Sequence, residues 1–206
     1  YYLAKELPLG NDGLFSYERF IERYNNELAN DLGNLVSRTV SMVEKYFEGN
    51  VPHMLTSKTL FDDDLKNVAT NAIAKTKENF EKFELQDAIN ETWSLVRRVN
   101  KYIDETAPWV LAKDENKKSE LEATMANLIE SLRVIAHLVS PYLVETAPKI
   151  LEAIGLANDG FNLSNLNYNV GTVTGKVCKI PALFQRLDVE KELEYFKNVY
   201  AAFAFG

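Results

Sequence analysis

Apolar residues recur at intervals of three and four along most of the chain, which is the spacing of one buried face of an α-helix. The first stripe starts after Ser16, a suitable N-cap, and ends before Gly49-Asn50 and Pro52, which are typical of a helix end. We therefore predict one helix of about eight turns, with Gly33 as a local weakness. Its apolar face consists of Tyr17, Phe20, Ile21, Tyr24, Leu28, Leu32, Leu35, Val36, Val40, Val43 and Phe47.

Three more stripes with the same period predict further helices. The second comprises Phe61, Leu65, Val68, Ala69, Ala72, Ile73, Phe80 and Phe83. The third comprises Leu85, Ala88, Ile89, Trp93, Val96, Tyr102 and Ile103. The fourth comprises Leu121, Met125, Leu128, Leu132, Ile135, Val139, Tyr142, Leu143, Ile150, Leu151 and Ile154. Pro141 and Pro148 are expected to kink or break this last stretch, because proline lacks the amide hydrogen that a helix interior uses.

The helical pattern stops between Ala157 and Pro181, where asparagine and glycine are frequent. We predict a long irregular connection there, with a short extended piece possible near residues 171–178. Asp188 is a suitable cap for a last helix. The apolar positions of that helix are Val189, Leu193, Phe196 and Tyr200.

These elements predict an all-α fold, a helical bundle with a long irregular loop and a C-terminal return helix. Residues 1–156 are expected to form the bundle. Residues 157–188 are expected to pack on it as an irregular connection, and residues 189–206 to form the C-terminal helix. All three parts are expected to belong to one structural domain.

One short sequence occurs twice. YIDETAPWVL at residues 102–111 is similar to YLVETAPKIL at residues 142–151. Two copies are too few to indicate a repeat protein. The comparison pairs Trp109 with Lys149, and because lysine is rarely buried, we expect Trp109 to be exposed as well.

The composition is ordinary for a folded protein, with 46% apolar and 26% charged residues among 206. The net charge of −7 argues against a protein that grips long duplexes through their phosphates, but it permits a small local nucleic-acid site. No apolar run approaches the roughly 18 residues of a membrane span. Cys178 is the only cysteine, so an intrachain disulfide and a cysteine-based zinc site are excluded and a reducing compartment is favoured.

A search for catalytic motifs finds little. The sequence has no glycine-rich phosphate loop, no Gly-x-Ser-x-Gly elbow and no His-Glu-x-x-His. His137 falls in an apolar helical stretch and is expected to pack there. Asp62, Asp63 and Asp64 fall in the first turn of a predicted helix, where carboxylates complement the helix dipole. We therefore predict no metal cluster at these three residues.

The polar face of the first helix is more informative. At about 100° per residue from Leu32, Asn34 and Arg38 fall near 200° and 240°, opposite the apolar stripe. They are four residues apart, so their side chains are neighbours. From chemistry alone, a solvated helix surface explains both residues.

Four segments together resemble the anticodon-binding helical domain of class I aminoacyl-tRNA synthetases, and most specifically bacterial methionyl-tRNA synthetase. They are NDGLFS at 11–16, LANDLGNLVSR at 28–38, YIDETAPWVLAK at 102–113 and LFQRLD at 183–188. Gln185 replaces the proline that is usual in the last segment. The resemblance covers nearly the whole chain, and its most specific part is Ala-Pro-Trp combined with Asn-x-x-x-Arg.

This resemblance implies recognition of tRNA with a CAU anticodon by Asn34, Arg38 and Trp109, with Pro108 next to the tryptophan. Single-stranded anticodon bases are recognised by stacking on aromatic rings and by hydrogen bonds to the Watson–Crick edge. Arg38 only donates hydrogen bonds and suits the two acceptors of cytosine, whereas Asn34 both donates and accepts.

Two further features bear on this assignment. Without the resemblance, Trp109 would be interpreted as a hydrophobic plug after Pro108, while Trp93 lies in the third apolar stripe and is expected in the core. Residues 97–118 contain six basic and four acidic residues, a net charge of +2 in a chain of −7. Basic groups near Trp109 are therefore available for phosphates. They are Arg97, Arg98, Lys101, Lys113, Lys117 and Lys118.

In the resembled family, the nucleotide-binding catalytic domain carries HIGH-like and KMSKS-like motifs, and neither occurs here. The chain is thus expected to correspond to a non-catalytic C-terminal part, inactive alone and without a cofactor of its own. ATP, methionine and a possible zinc ion belong to the catalytic half. The expected partners are the tRNA anticodon stem-loop and the N-terminal catalytic domain, with no membrane and no DNA, and the expected location is the cytoplasm.

Two alternatives remain open at this stage. One is a helical protein–protein interaction module, which would expose an apolar patch of several hundred Å². The other is the anticodon domain of a sister synthetase for leucine, isoleucine, valine or cysteine, although the combination of Asn34, Arg38 and Trp109 argues against it.

Overall fold

The computed structural model describes residues 1–6, 14–157 and 160–204, without the side chains of 200–204. The fold is all-α, and no β-strand occurs among these residues. The α-helices are α1 (Tyr2–Glu6), α2 (Tyr17–Arg23), α3 (Asn34–Phe47), α4 (Asp62–Glu81), α5 (Leu85–Thr106), α6 (Pro108–Leu111), α7 (Lys118–Val139), α8 (Thr146–Ala153) and α9 (Val189–Ala204). A π-helix (Tyr24–Gly33) joins α2 to α3, and a 3₁₀ turn (Glu115–Lys117) precedes α7.

Helices α5 and α7 form the centre of the bundle. Helix α7 is buried along most of its length, as expected of a helix that is apolar on several faces. Trp93 and Tyr102 on α5 are fully buried, which confirms the prediction that Trp93 belongs to the core. His137 is also buried, with its Nδ1 atom 2.9 Å from the Arg133 carbonyl oxygen, as predicted from its apolar surroundings.

The first predicted helix is helical throughout, but its middle third is not α-helical. Ser16 caps α2 as predicted, accepting a hydrogen bond from the Arg19 amide at 3.2 Å. Residues 24–33 then form a π-helix, with each hydrogen bond closed over five residues instead of four. Periodicity missed this change because the stripe positions Leu28 and Leu32 are buried in the π-helix as well, so the apolar pattern continues without a break.

Two further expectations were wrong. Phe83 was assigned to the buried stripe of the second helix, but it follows the end of α4 with a φ of 60° and is 74% exposed. Pro148 was expected to disrupt the fourth stripe, but it is the third residue of α8. The first turn tolerates proline, because amide hydrogens there have no partner within the helix. Pro141 does follow the end of α7, as predicted.

The described residues between α8 and α9 form no helix. An isolated bridge joins Asn50 to Lys176, with the Val177 amide donating to the Gly49 carbonyl at 2.9 Å, so the piece near 171–178 forms a single bridge rather than a strand. Helix α9 packs on α2, where the rings of Tyr17 and Phe196 stack with centroids 4.3 Å apart.

Parts of some sequence expectations lie outside the described residues. They are residues 7–13 of the predicted bundle, which include 11–13 of the first family-like segment, residues 158–159 of the irregular connection, residues 205–206 of the predicted C-terminal helix, and the Tyr200 side chain. Among the helices that the structure describes, none combines the length and the apolar character needed to cross a membrane.

Candidate nucleic-acid interface

Asn34 and Arg38 lie on the solvent side of α3. The opposite face buries Leu35, Val36 and Val40 against the bundle, so positions 34 and 38 point outward. Both residues are exposed, as their position opposite the apolar stripe predicted. The π-helix also holds Asn34 directly, because the Asn34 amide donates to the carbonyl oxygen of Ala29, five residues earlier.

Arg38 contacts the helix that leads to Trp109. Its Nη2 atom lies 3.5 Å from Asp104 Oδ1 near the end of α5. The side chains of Arg38 and Asp104 are 43% and 69% exposed, so solvent weakens this ion pair. Sequence reasoning did not identify Asp104, because nothing in a single sequence shows that its helix face meets α3. Its position five residues before Trp109 was the available signal.

Trp109 is displayed by a sharp change of direction at the end of α5. Ala107 has φ 42° and ψ 64°, a left-handed conformation that ends the helix. Pro108 then occupies the first position of α6, where its fixed φ suits a helix start, and it is buried. The Trp109 side chain comes next and is 43% exposed, as the pairing with Lys149 predicted. Trp109 is therefore a surface residue that directly follows a buried proline.

Two contact regions join α3 to the chain on either side of Trp109. Near the start of α3, Arg38 meets Asp104 of α5. At its end, Tyr46 and Phe47 share an open pocket of about 470 Å³ with residues 111–115. Trp109 lies between these two regions along the chain.

Of the six basic residues predicted near Trp109, Arg97 is exposed on α5 and the other five fall into two groups. Arg98 is largely buried and pairs with Asp64 at 2.5 Å and Glu105 at 3.0 Å. Lys101 pairs with Glu105 and Lys117 with Glu120, so these three cations are partly neutralised. A second group, Lys113 and Lys118 together with Lys45 of α3, lines the pocket beside Phe47. Two acidic residues, Asp114 and Glu115, also line this pocket. Asp114 accepts a hydrogen bond from the Asn116 amide at 3.0 Å.

The carboxylates at the start of α4 have a structural role in this structure. Asp62 is buried and accepts a hydrogen bond from the Tyr102 hydroxyl at 2.7 Å. Burial and the neighbouring carboxylate raise the pKa of Tyr102 above its usual range, so the phenol stays protonated and donates this bond. Within the part of the chain that the structure describes, no group of three or more His, Cys, Asp or Glu side chains is arranged to hold a metal ion.

Two family models match successive parts of the chain. Residues 52–203 match the family model of the anticodon-binding domain of methionyl-tRNA ligase. Residues 1–40 match the model of class I tRNA synthetases of the methionine type. Asn34 and Arg38 therefore fall within the second match, and Trp109 within the first.

Curated relatives and solved structures agree with these models. The chain is 47% identical over 202 residues to methionine–tRNA ligase of Enterococcus faecalis and 48% identical over 193 residues to that of Caldanaerobacter subterraneus. The alignments cover 96% and 94% of this chain but 30% of each relative. The free methionyl-tRNA synthetase of Mycobacterium tuberculosis superposes with a TM-score of 0.81 at 30% identity, covering 91% of this chain and 38% of that one. The chain thus spans about a third of the length of the proteins it matches.

Proposed function

The chain belongs to the methionyl-tRNA ligase family, in its anticodon-binding part, and on that premise we propose that it recognises the CAU anticodon of methionine tRNA through Asn34, Arg38 and Trp109. The observation that carries the proposal is the half-exposed indole of Trp109 on the buried Pro108. A tryptophan displayed in this way leaves a ring surface available for a base, and it follows the end of α5, where Asp104 pairs with Arg38.

The chemistry of these residues suits the first anticodon base, cytosine. The Trp109 ring stacks on the base, while Arg38 donates to its two acceptors and the Asn34 carbonyl oxygen accepts from its amino group. Uracil has an acceptor in place of that amino group and a donor at N3. Each mismatched polar group that is buried by the base costs about 1–3 kcal/mol.

The ion pair between Arg38 and Asp104 supports this role. Exposed pairs of this kind contribute about 0–1 kcal/mol, so Asp104 restrains the guanidinium without preventing it from turning toward a base. Lys45, Lys113 and Lys118 beside the Trp109 turn supply positive charge for the phosphates of the anticodon loop. Pro108 supports the site by fixing the backbone under Trp109.

The relatives are longer than this chain, and the wider role proposed here is taken from them. We propose that this chain binds the anticodon stem-loop while a class I catalytic domain aminoacylates the same tRNA in the cytoplasm, and that ATP, methionine and any zinc ion bind in that domain. The chain alone should then catalyse no methionine-dependent pyrophosphate exchange. The family match does not favour a protein–protein interaction module or the domain of a sister synthetase.

A binding titration tests the proposal. We expect the chain to prefer an RNA stem-loop with a CAU anticodon over the same stem-loop with UAU. Trp109→Ala should weaken binding to the CAU stem-loop by about 1–3 kcal/mol, the usual contribution of a base–aromatic stack. Lys149→Ala, at the equivalent position of the second copy, is the matched control and should bind normally.

The base-specific part of the site requires a separate variant. Arg38→Gln should reduce the preference for cytosine over uracil with little change in stability, because Arg38 lies on the exposed face of α3. Arg19→Gln on the exposed surface of α2 controls for the loss of one charge. Unchanged binding by both Trp109→Ala and Arg38→Gln would contradict the assignment.

A further inference from the structure

The π-helix determines the orientation of the Asn34/Arg38 face. In a π-helix each amide donates to the carbonyl five residues earlier, so ten residues complete fewer turns than they would in an α-helix. Helix α3 therefore begins at a different rotation about the common helix axis. The backbone is helical through Gly33 into Asn34, so this rotation is passed on to Arg38. π-Helices are rare and mostly occur as single-turn bulges, which are frequent at functional sites, so a ten-residue π-helix is unusual. Tertiary contacts are therefore needed to hold this one.

Asn25 makes a two-point contact of this kind with the irregular segment. Its side chain is 4% exposed and forms two hydrogen bonds with the backbone of Leu187. Asn25 Nδ2 donates to the Leu187 carbonyl at 2.9 Å, and the Leu187 amide donates to Asn25 Oδ1 at 2.8 Å. An asparagine amide can satisfy both the N–H and the carbonyl oxygen of one residue in this two-point manner, whereas an ionised aspartate or an alanine cannot.

Phe184, which lies three residues before Leu187 in the irregular segment, also contacts the π-helix. Its ring lies edge-on to Tyr24, with centroids 5.9 Å apart. It also packs over Gly33, where an added Cβ would lie 3.5 Å from the ring and 3.2 Å from the Leu28 carbonyl oxygen. The segment from Phe184 to Leu187 thus contacts both ends of the π-helix, at Tyr24-Asn25 and at Gly33.

From these contacts we infer that Asn25 is a positioning residue for the Asn34/Arg38 face, acting through the π-helix that it clamps to Leu187. The inference rests on the proposed function. Asn25 lies nine residues before Asn34 and is buried beneath the irregular segment, so it acts without contact to RNA. If the clamp is lost, the π-helix is free to rewind toward the α-helical form, and the exposed face of α3 rotates relative to Trp109.

The test compares base discrimination with stability in the full chain. Asn25→Ala should reduce the preference for a CAU over a UAU stem-loop by about tenfold, since tenfold corresponds to one lost hydrogen bond of ordinary strength. Asn127→Ala is the matched control, because Asn127 is also buried and joins α7 to the Tyr168 hydroxyl at 3.0 Å. It should lower the melting temperature and keep the preference.

A second variant keeps the inference testable if Asn25→Ala does not fold. Phe184→Ala leaves Asn25 intact and removes only a half-buried ring from an irregular segment, and it should reduce the same preference. A wild-type chain without preference for CAU would refute the proposed function and this inference together. A wild-type preference that both Asn25→Ala and Phe184→Ala retain would refute the inference alone, and the clamp would then have only a stabilising role.

Discussion

The sequence Glu-Thr-Ala-Pro occurs at residues 105–108 and again at 145–148, and the two copies have different backbones. In the first copy, Thr106 is the last residue of α5 and Ala107 turns the chain in a left-handed conformation. In the second copy, Thr146 is the first residue of α8 and Ala147 is an ordinary buried helix residue. The same residues thus end one helix and begin another.

The preceding chain accounts for the difference. Helix α5 has no proline before Pro108, so it continues through Tyr102 to Thr106. In the second copy, Pro141 lacks the amide hydrogen needed to extend α7, which ends at Val139. The chain therefore reaches Thr146 from a turn, where a new helix can start.

The residues that follow Pro108 and Pro148 also differ in burial, because the two helices that contain them differ in length. Helix α8 runs for eight residues and buries Ile150 and Leu151 against the bundle. Helix α6 has four residues, and Val110, which corresponds to Ile150, is 56% exposed. The short first helix thus presents the Trp109–Val110 pair to solvent, and the long second helix serves packing. Two matching sequences therefore have the same side chains, but they need not have the same backbone conformation or the same side-chain exposure.

The largest expected effect separates the two tryptophans. Trp93→Ala on α5 should lower the free energy of unfolding by about 3–5 kcal/mol, because it leaves a cavity in the core. Trp109→Ala should lower it by less than about 1 kcal/mol, because the ring is half-exposed. Urea denaturation of both variants, followed by circular dichroism, measures the difference. Equal losses would show that Trp109 is a packing residue.

The next effect compares matched positions in the two copies. Ile150→Ala should destabilise the chain by about 2–5 kcal/mol, since Ile150 is fully buried under α7. Val110→Ala should change stability by no more than about 0.5 kcal/mol, as is usual for exposed positions. Thermal melting of the two variants checks this prediction. A large loss in Val110→Ala would mean that α6 packs in the same manner as α8.

The smallest effect should have opposite signs in the two copies. Ala107→Gly should stabilise the chain by about 0.5–1 kcal/mol, because glycine adopts the left-handed conformation at position 107 without strain. Ala147→Gly should destabilise it by about 1–2 kcal/mol, because it weakens a helix and removes a buried methyl group. Denaturation midpoints measured side by side show whether the signs differ. The same sign in both variants would contradict the backbone comparison.

Local periodicity predicted much of the fold. The four apolar stripes correspond to helical segments, and the failure of the pattern after residue 157 coincides with a region without helices among the described residues. The exposure of Asn34 and Arg38 was predictable as well, because the buried face of a helix fixes its opposite face. The assignment of these residues to an anticodon site remains a prediction, which depends on resemblance and on the binding experiments above.

The sequence by itself determined the helices, the buried Trp93 and the outward direction of Arg38, because each depends on residues within a few turns of one another. Only the tertiary structure decided which helices meet. It brought Asp104 to Arg38, and it joined Asn25 to Leu187 across 162 positions of the chain. Such contacts depend on how complete helices pack and on peptide groups from distant segments. A period of 3.6 residues carries no information about either, so the π-helix that these contacts hold could be recognised only in the folded molecule.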